Sequence, residues 1–200
     1  MSKLILDRLK AEFGGDVLET STFRGDDVAV IRPSRWREAA MFVRSDPRCD
    51  CDYFVDLSAV DRCDPRTDDL DMDDRFEVYV IASSLKLKHR IRLKTRVPSG
   101  EDPVIASLVP VWAGAGWQER EAFDLFGVRF EGHPDLRRIL LYEEFKGHPL
   151  RKDYPANRMQ PLVPYREGTV PLDRLGPFLT DEGMPLNRSP QRDDDRDEAL

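Results

Sequence analysis

The feature that most restricts the fold of this 200-residue chain is a segment in which apolar and basic side chains alternate almost without a break. The apolar side of the alternation consists of Leu85, Leu87, Ile91 and Leu93. The basic side consists of Lys86, Lys88, Arg90, Arg92, Lys94 and Arg96. Because a side-chain period of two belongs to extended backbone, residues 85–97 predict one long strand with a buried face and a charged face.

The residues before this segment predict two helices and four more strands. Apolar residues at helical spacing predict a first helix that Ser2 caps and Gly14-Gly15 ends. A second helix starts at Ser34 and stops at Asp46-Pro47. Strand patterns cover residues 17–23, 28–32, 53–60 and 76–82, and in the third of these Tyr53, Val55, Leu57 and Ala59 share one face. The Asp-rich residues 61–74 predict a solvated, mobile loop.

The residues after it predict more helix and then a change of character. Asp102-Pro103 predicts the start of a helical region that runs in two pieces to Phe126 and ends at Gly127. Together these elements predict a two-layer α+β fold, with helices on one face of a mixed, mostly antiparallel five-stranded sheet. Prolines punctuate the chain beyond about residue 130. We therefore predict a core domain (1–130), an extended C-terminal arm that lies on another protein (131–165) and a Pro-rich, then acidic tail (166–200).

Charge and composition argue against several classes of function. The formal net charge of -7 disfavours binding to nucleic acid or anionic lipid. No apolar run approaches the roughly 20 residues that span a bilayer, and the N-terminal residues show no signal-peptide pattern, so we expect a cytoplasmic protein. The three cysteines, Cys49, Cys51 and Cys63, lack the number and spacing of a zinc or iron–sulfur site. We expect free thiols and no metal.

Three groups of polar residues are candidates for chemistry. His133 and His148 stand in Gly-His-Pro triplets, which suit a general base or a turn; without a nucleophile or carboxylate partner nearby, the turn is favoured. A charged helical cluster contains Glu119, Arg120, Glu121 and Asp124. It suits acid–base chemistry or an ion network with nearby arginines, and we favour the network. The basic strand face suits nucleic acid, an acidic protein or solvent, but no aromatic residues alternate with its cations.

A longer pattern identifies a family. Residues 117–155 read WQEREAFDLFGVRFEGHPDLRRILLYEEFKGHPLRKDYP. This stretch resembles the signature of the C subunit of respiratory NADH:quinone oxidoreductase (complex I), which is the 30-kilodalton subunit in mitochondria. The positions that support the resemblance are Glu119, Arg120, Glu121, Asp124, Gly127, His133, Arg137, Arg138, His148, Arg151, Lys152, Asp153 and Tyr154.

The resemblance implies a structural subunit without a catalytic site. Such a protein lies in the peripheral arm, against the D subunit and near the iron–sulfur subunits, on the cytoplasmic side of the bacterial inner membrane. The complex passes electrons from NADH through FMN and iron–sulfur clusters to quinone and pumps protons, while this family member binds none of these cofactors. We expect the arm to bind the D subunit through Arg137, Arg138, Arg151 and Lys152 and through Leu140, Leu141, Leu150 and Tyr154.

Three alternatives remain open from the sequence, and one of them is a nucleic-acid-binding module that uses the basic strand face. The same scaffold occurs in related complexes, such as a membrane-bound hydrogenase or a ferredoxin-driven quinone reductase, and the signature does not separate them. A stand-alone soluble enzyme that uses His133 or His148 is the alternative of a different class.

Overall fold

A five-stranded sheet forms the centre of the computed structural model, which describes residues 3–63, 74–97 and 102–161. Its strands are β1 (Val17–Phe23), β2 (Asp26–Ile31), β3 (Tyr53–Asp61), β4 (Phe76–Ser84) and β5 (His89–Val97). Their order across the sheet is β1-β2-β5-β4-β3. Only β2 and β5 run parallel, and the other neighbours are antiparallel. The prediction of a mixed, mostly antiparallel sheet is confirmed.

Three helices contribute to one hydrophobic core with one face of this sheet. They are α1 (Lys3–Phe13), α2 (Trp36–Ser45) and α3 (Ala115–Phe126). Each buries an apolar stripe against the sheet, with Leu9, Trp36 and Ala122 among the buried residues. The helix termini follow the sequence in part. Helix α2 begins after a 3-10 turn, Pro33–Arg35, and has no side-chain cap, so the predicted Ser34 cap is wrong. Ser2, the predicted cap of α1, lies outside the described residues.

Strand β5 confirms the alternating pattern over only part of its predicted length. Ile91, Leu93 and Val97 are buried, whereas the basic residues between them point to the other face. Residues 85–88 form the turn of the β4–β5 hairpin instead, which leaves Leu85 68% exposed. The backbone turns here because Ser84 accepts the N–H of Lys88 with its carbonyl (2.9 Å) and the N–H of Leu87 with its hydroxyl (3.0 Å).

An irregularity in β3 changes which side chains reach the core. The pairing of β3 with β4 shifts register between Phe54 and Asp56, so one extra residue is accommodated. Leu57 and Ala59 are buried, but Tyr53 and Val55 are exposed and Phe54 packs against the core instead. The predicted common face of β3 is therefore wrong at its first two positions.

The first helical piece predicted after Asp102-Pro103 is also wrong. Val104–Ala106 is a short strand, β6, which pairs in parallel with β7 (Arg129–Glu131), the strand that follows α3. A β-branched Val-Ile pair suits this extended backbone, and the Arg129 N–H donates to the Pro103 carbonyl (2.8 Å). Helix α3 ends as predicted, at Gly127 with φ +76°.

The segment after β7 folds back onto this framework. Residues 132–161 contain turns, and all described residues belong to one compact unit. Residues 64–73 of the predicted acidic loop and residues 162–200 lie outside the described residues.

Candidate functional site at the carboxyl end of the third helix

Asp124 is the centre of the charged cluster on α3. Its carboxylate is completely buried. Oδ2 accepts the backbone N–H groups of Ile139, Leu140 and Leu141 at 3.1, 2.8 and 2.8 Å. Oδ1 accepts from Nη1 of Arg138 at 2.8 Å. One carboxylate therefore fixes four consecutive residues of the segment that follows β7.

These donors keep Asp124 ionised although it is buried. Burial favours the neutral carboxyl, but the N–H groups of Leu141 and Leu140, the Arg138 guanidinium and the Ile139 N–H together outweigh it and lower the pKa of Asp124. Buried carboxylates need such partners, because an unpaired buried charge is strongly unfavourable.

Two arginines extend this contact along the chain. Arg138 also donates from Nη2 to the Gly147 carbonyl at 3.1 Å. Arg120, one turn before Asp124 on α3, donates from Nε and Nη2 to the carbonyls of Arg137 and Arg138, both at 3.1 Å. Its guanidinium lies over the Trp117 ring, 5.2 Å from the ring centroid. Both arginines therefore bind the protein's own backbone.

His148 and Arg151 occupy the free carbonyls at the end of α3. His148 Nδ1 lies 2.9 Å from the Asp124 carbonyl, and since a carbonyl only accepts, Nδ1 carries the proton. Burial is the largest cause that lowers the pKa of His148, which favours the neutral ring. Arg151 donates from Nε to the Phe126 carbonyl at 2.6 Å. The last turn of a helix presents unpaired carbonyls, so these side chains cap it.

Gly127 permits this close approach. A Cβ atom at this position would lie 2.5 Å from Cδ2 of His148 and would also overlap Nη2 of Arg151. Its positive φ is a second reason for glycine, because L side chains disfavour that region.

A second buried ion network fastens the segment to the sheet. Arg75 donates to both oxygens of Asp61, at 3.1 and 2.7 Å, and to both oxygens of Asp153, at 2.7 and 3.3 Å. Asp61 also accepts the backbone N–H of Lys152 at 2.8 Å. Hydrogen bonding to Arg75 is the largest cause that lowers the pKa of Asp153. Asp61 and Arg75 were not predicted as site residues, because neither lies in a local sequence motif.

Glu119 fastens the loop before α3. Its completely buried carboxyl accepts from the Ser107 hydroxyl at 2.7 Å and from the Leu108 N–H at 2.5 Å. Burial raises its pKa to about 7, against the opposing effect of these two donors. Arg37 lies nearby and donates to the Ser107 and Glu131 carbonyls, both at 2.9 Å.

The other predicted site residues divide into turn formers and exposed groups. His133 bridges a turn: Nε2 is 3.1 Å from the Gly116 carbonyl, and Nδ1 accepts the Asp135 N–H at 3.0 Å. Tyr154 stacks on Phe145, with ring centroids 6.2 Å apart. The remaining signature residues Glu121, Arg137 and Lys152 are exposed. Among the described residues, the hydrogen bonds of His133 and His148 reach only backbone groups.

The described residues offer no cluster of three or more metal-ligating side chains. Cys49 and Cys51 are buried free thiols, and Cys63 is buried as well. Burial raises the pKa of Cys49 to about 11 and that of Cys51 to about 12, so both remain protonated at neutral pH. No helix in the described part of the chain is long and apolar enough to span a bilayer.

Fold and site together define a small α+β protein in which the charged residues of α3 and of the segment after β7 hold that segment against the helix. The chain belongs to the family described as respiratory-chain NADH dehydrogenase, 30 Kd subunit, whose model matches residues 29–160. The C 2 subunit of the NADH-quinone oxidoreductase of Rhizobium meliloti is 37% identical over 93% of this chain and 94% of that protein. The corresponding C subunit of Roseiflexus castenholzii is 42% identical over 83% of this chain and 91% of its own.

Two solved structures share the fold. A trypsin-resistant fragment of Nqo5 superposes with a TM-score of 0.54 and 26% identity, covering 67% of this chain and 98% of the fragment. A chain of the membrane-bound sulfane sulfur reductase, an archaeal respiratory membrane complex, superposes with a TM-score of 0.61 at 21% identity, covering 78% of this chain and 86% of its own.

Proposed function

We propose that this chain is a non-catalytic structural subunit in the peripheral arm of a proton-pumping NADH:quinone oxidoreductase. Its membership of the family supports its place in this complex. The observation that supports the non-catalytic role is the site itself. Asp124, Arg138, His148 and Arg151 direct their hydrogen bonds to the protein's own backbone and to one another. In this proposal, other subunits bind NADH, FMN, the iron–sulfur clusters and quinone, and this chain binds none of them.

The same network supports a specific docking surface for the D subunit. By fixing the backbone of residues 138–141, Asp124 presents Leu140 to solvent with 63% of its surface exposed. Leu150, held through its N–H to the Leu125 carbonyl at 3.1 Å, is 48% exposed. Lys152 and Arg137 are exposed near these positions in the sequence, Arg137 in a solvent-exposed pair with Asp135 at 3.0 Å, and both can reach a partner's polar groups. A preorganised surface of this kind avoids the entropy cost of ordering a free arm on binding.

In the proposal, the chain binds the D subunit through this surface and forms a hetero-oligomer with it and the neighbouring iron–sulfur subunits. In the proposal, the chain lies on the cytoplasmic side of the bacterial inner membrane and reaches the membrane only through the complex. Nucleic acid is not a proposed partner, because the net charge is -7.

The same scaffold role in a related complex is the second candidate. The fold also occurs in a membrane-bound sulfane sulfur reductase complex, so the fold does not by itself distinguish NADH-linked complexes from their relatives. The proteins that co-purify with this chain distinguish the two, because an NADH-linked complex requires a subunit that oxidises NADH.

The test is purification of the complex through a tag on this chain from detergent-solubilised membranes. We expect D-type, iron–sulfur and flavin subunits in the eluate, together with NADH:quinone reductase activity. Leu140→Asp should lower the recovery of these subunits at least about tenfold, whereas Met41→Asp, an exposed apolar position on α2, should not. Undiminished recovery with Leu140→Asp contradicts the docking surface, and a chain that elutes alone contradicts the proposed function.

A further inference from the structure

Two hairpin turns meet at one end of the sheet and enclose a cleft. The β1–β2 hairpin turns at Arg24-Gly25, and the β4–β5 hairpin turns at residues 85–88. Because β2 and β5 are parallel neighbours, both turns lie at the same end. The cleft between them has a volume of about 540 Å³, and its lining comprises Gly25, Ser83, Ser84, Leu85, Lys88, His89 and Arg90. We call this the hairpin cleft.

Each turn places a cationic residue in a backbone conformation that residues other than glycine rarely adopt. Arg24 has φ +53° and Lys88 has φ +54°. The first position belongs to a two-residue turn with positive φ at both residues, where Asn-Gly is the favoured pair. Glycine is the usual residue at such left-handed positions, because a Cβ atom there approaches the carbonyl oxygen. Asn or Gly would therefore fit the backbone at these two positions with less strain than Arg or Lys.

The charges of these two side chains are not neutralised within the described residues. The neighbouring cations are paired, since Arg90 contacts Asp26 at 2.6 Å and Lys86 contacts Asp50 at 3.8 Å. Arg24 and Lys88 have no carboxylate partner in the part of the chain that the structure describes, and the Arg24 guanidinium instead lies 5.1 Å from the centroid of the Phe23 ring. Of these two residues, Lys88 lines the hairpin cleft, and Arg24 directly precedes the lining residue Gly25 in the sequence.

The same two turns carry exposed apolar side chains, of which Leu85 lines the hairpin cleft. Phe23 and Leu85 are each 68% exposed, and Leu87 is 42% exposed. A group of large exposed apolar residues next to unpaired cations is typical of a binding surface rather than of a solvated turn. The concave shape suits an inserted side chain, and the unpaired cations favour acidic groups beside it.

We propose that the hairpin cleft binds an acidic segment of a partner protein, with carboxylates at Arg24 and Lys88 and an apolar side chain beside Leu85. This site goes beyond the proposed docking of the D subunit, because its residues belong to the β1–β2 and β4–β5 turns rather than to the segment that follows α3. It does not depend on the identity of the complex.

The test measures the binding of a fluorescent acidic peptide, acetyl-Glu-Asp-Leu-Phe-Glu-Asp-amide, to the purified full-length chain by anisotropy. Arg24→Asn and Lys88→Gly suit the left-handed backbone, so each should raise the melting temperature by about 2–4 °C. Each should nevertheless weaken peptide binding about fivefold to tenfold. Lys10→Gln, which removes an exposed cation from α1, is the control and should leave binding unchanged.

Three results would overturn this proposal. The first is no detectable peptide binding by the unaltered chain. The second is an equal loss of binding in Lys10→Gln, which would show that the peptide responds only to overall charge. The third is binding to vesicles of phosphatidylcholine and phosphatidylglycerol (3:1), weakened by Arg24→Asn, without binding to the peptide, which would make the hairpin cleft a membrane contact. None of these results bears on the D-subunit surface, which is tested in membranes.

Discussion

Replacing Asp124 by Asn tests whether the signature motif builds the docking surface. The amide has nearly the shape of the carboxylate, so packing changes little. However, it has one acceptor oxygen and one NH₂ group in place of two acceptor oxygens. If its oxygen keeps the N–H groups of Ile139, Leu140 and Leu141, its NH₂ group faces Arg138 Nη1, which is also a donor.

The expected cost follows from burial. Removing one partner of a buried ion pair costs about 3–5 kcal/mol. The Arg138 side chain is 18% exposed and can recover some hydration, so the lower figure of about 3 kcal/mol applies. Because Asp124 holds residues 138–141 to α3, we expect much of this cost to be lost locally, as detachment of that segment. A loss of about 3 kcal/mol corresponds to roughly a hundredfold increase in the open population.

Amide hydrogen exchange measures this directly. The amides of Ile139, Leu140 and Leu141 should exchange roughly a hundredfold faster in Asp124→Asn, while amides in the centre of β4 keep their rates. Glu121→Gln is the control, because Glu121 lies on the same helix and is exposed. An increase below about threefold at residues 139–141 would refute the view that Asp124 holds this segment in place.

Three further substitutions probe the rest of the network. Burial raises the folded-state pKa of Glu119 from 4.5 to about 7, so the contribution of this group to stability is complete below pH 4.5 and is lost as pH rises to about 7. Glu119→Gln should therefore remove up to about 3 kcal/mol of the pH dependence of the free energy of unfolding, measured by urea unfolding of both proteins at pH 5 and pH 8. Gly127→Ala should destabilise the fold by about 2 kcal/mol or more through its positive φ and its overlap with His148 and Arg151, and an unchanged melting temperature would contradict this. Arg75→Met should cost about 3 kcal/mol or more by leaving buried Asp61 unpaired, whereas Arg35→Met at an exposed pair should change the free energy of unfolding by less than about 1 kcal/mol.

Periodic elements were predictable because their pattern is repeated within a few residues. Strand β5 presents several alternations of side chains, and helix α3 presents several turns. Helix α3 ends where the sequence predicts, and β5 occupies residues 89–97 of the predicted 85–97. Residues 85–88 continue the alternation of β5, so the sequence alone does not show that the hairpin turns there. The bulge at Phe54 was not predictable either, because it depends on pairing with β4.

The sequence predicted the residues of the candidate site better than it predicted their hydrogen-bond partners. The motif identified Asp124, Arg138 and His148, and the preference for a structural ion network agrees with the contacts of Asp124 and Arg138. However, most of their partners are backbone N–H and carbonyl groups, which have no sequence signature. The contact of Asp61 with Lys152 joins residues 91 positions apart, and only the folded chain brings them together.

The parallel pairing of β2 with β5 has a consequence for synthesis of the chain. Strand β2 ends at Ile31, yet its partner spans His89–Val97. During translation, the β1–β2 hairpin therefore emerges long before the strand that covers its inner edge, and pairing over such a separation is slow. Until then the inner edge of β2 has unpaired backbone N–H and carbonyl groups and carries the apolar residues Val28, Ala29 and Val30. A strand edge of this kind pairs readily with other chains. Ribosome-stalled or truncated chains that lack residues 89–97 should accordingly require chaperones to stay unaggregated, whereas the full 200-residue chain should not.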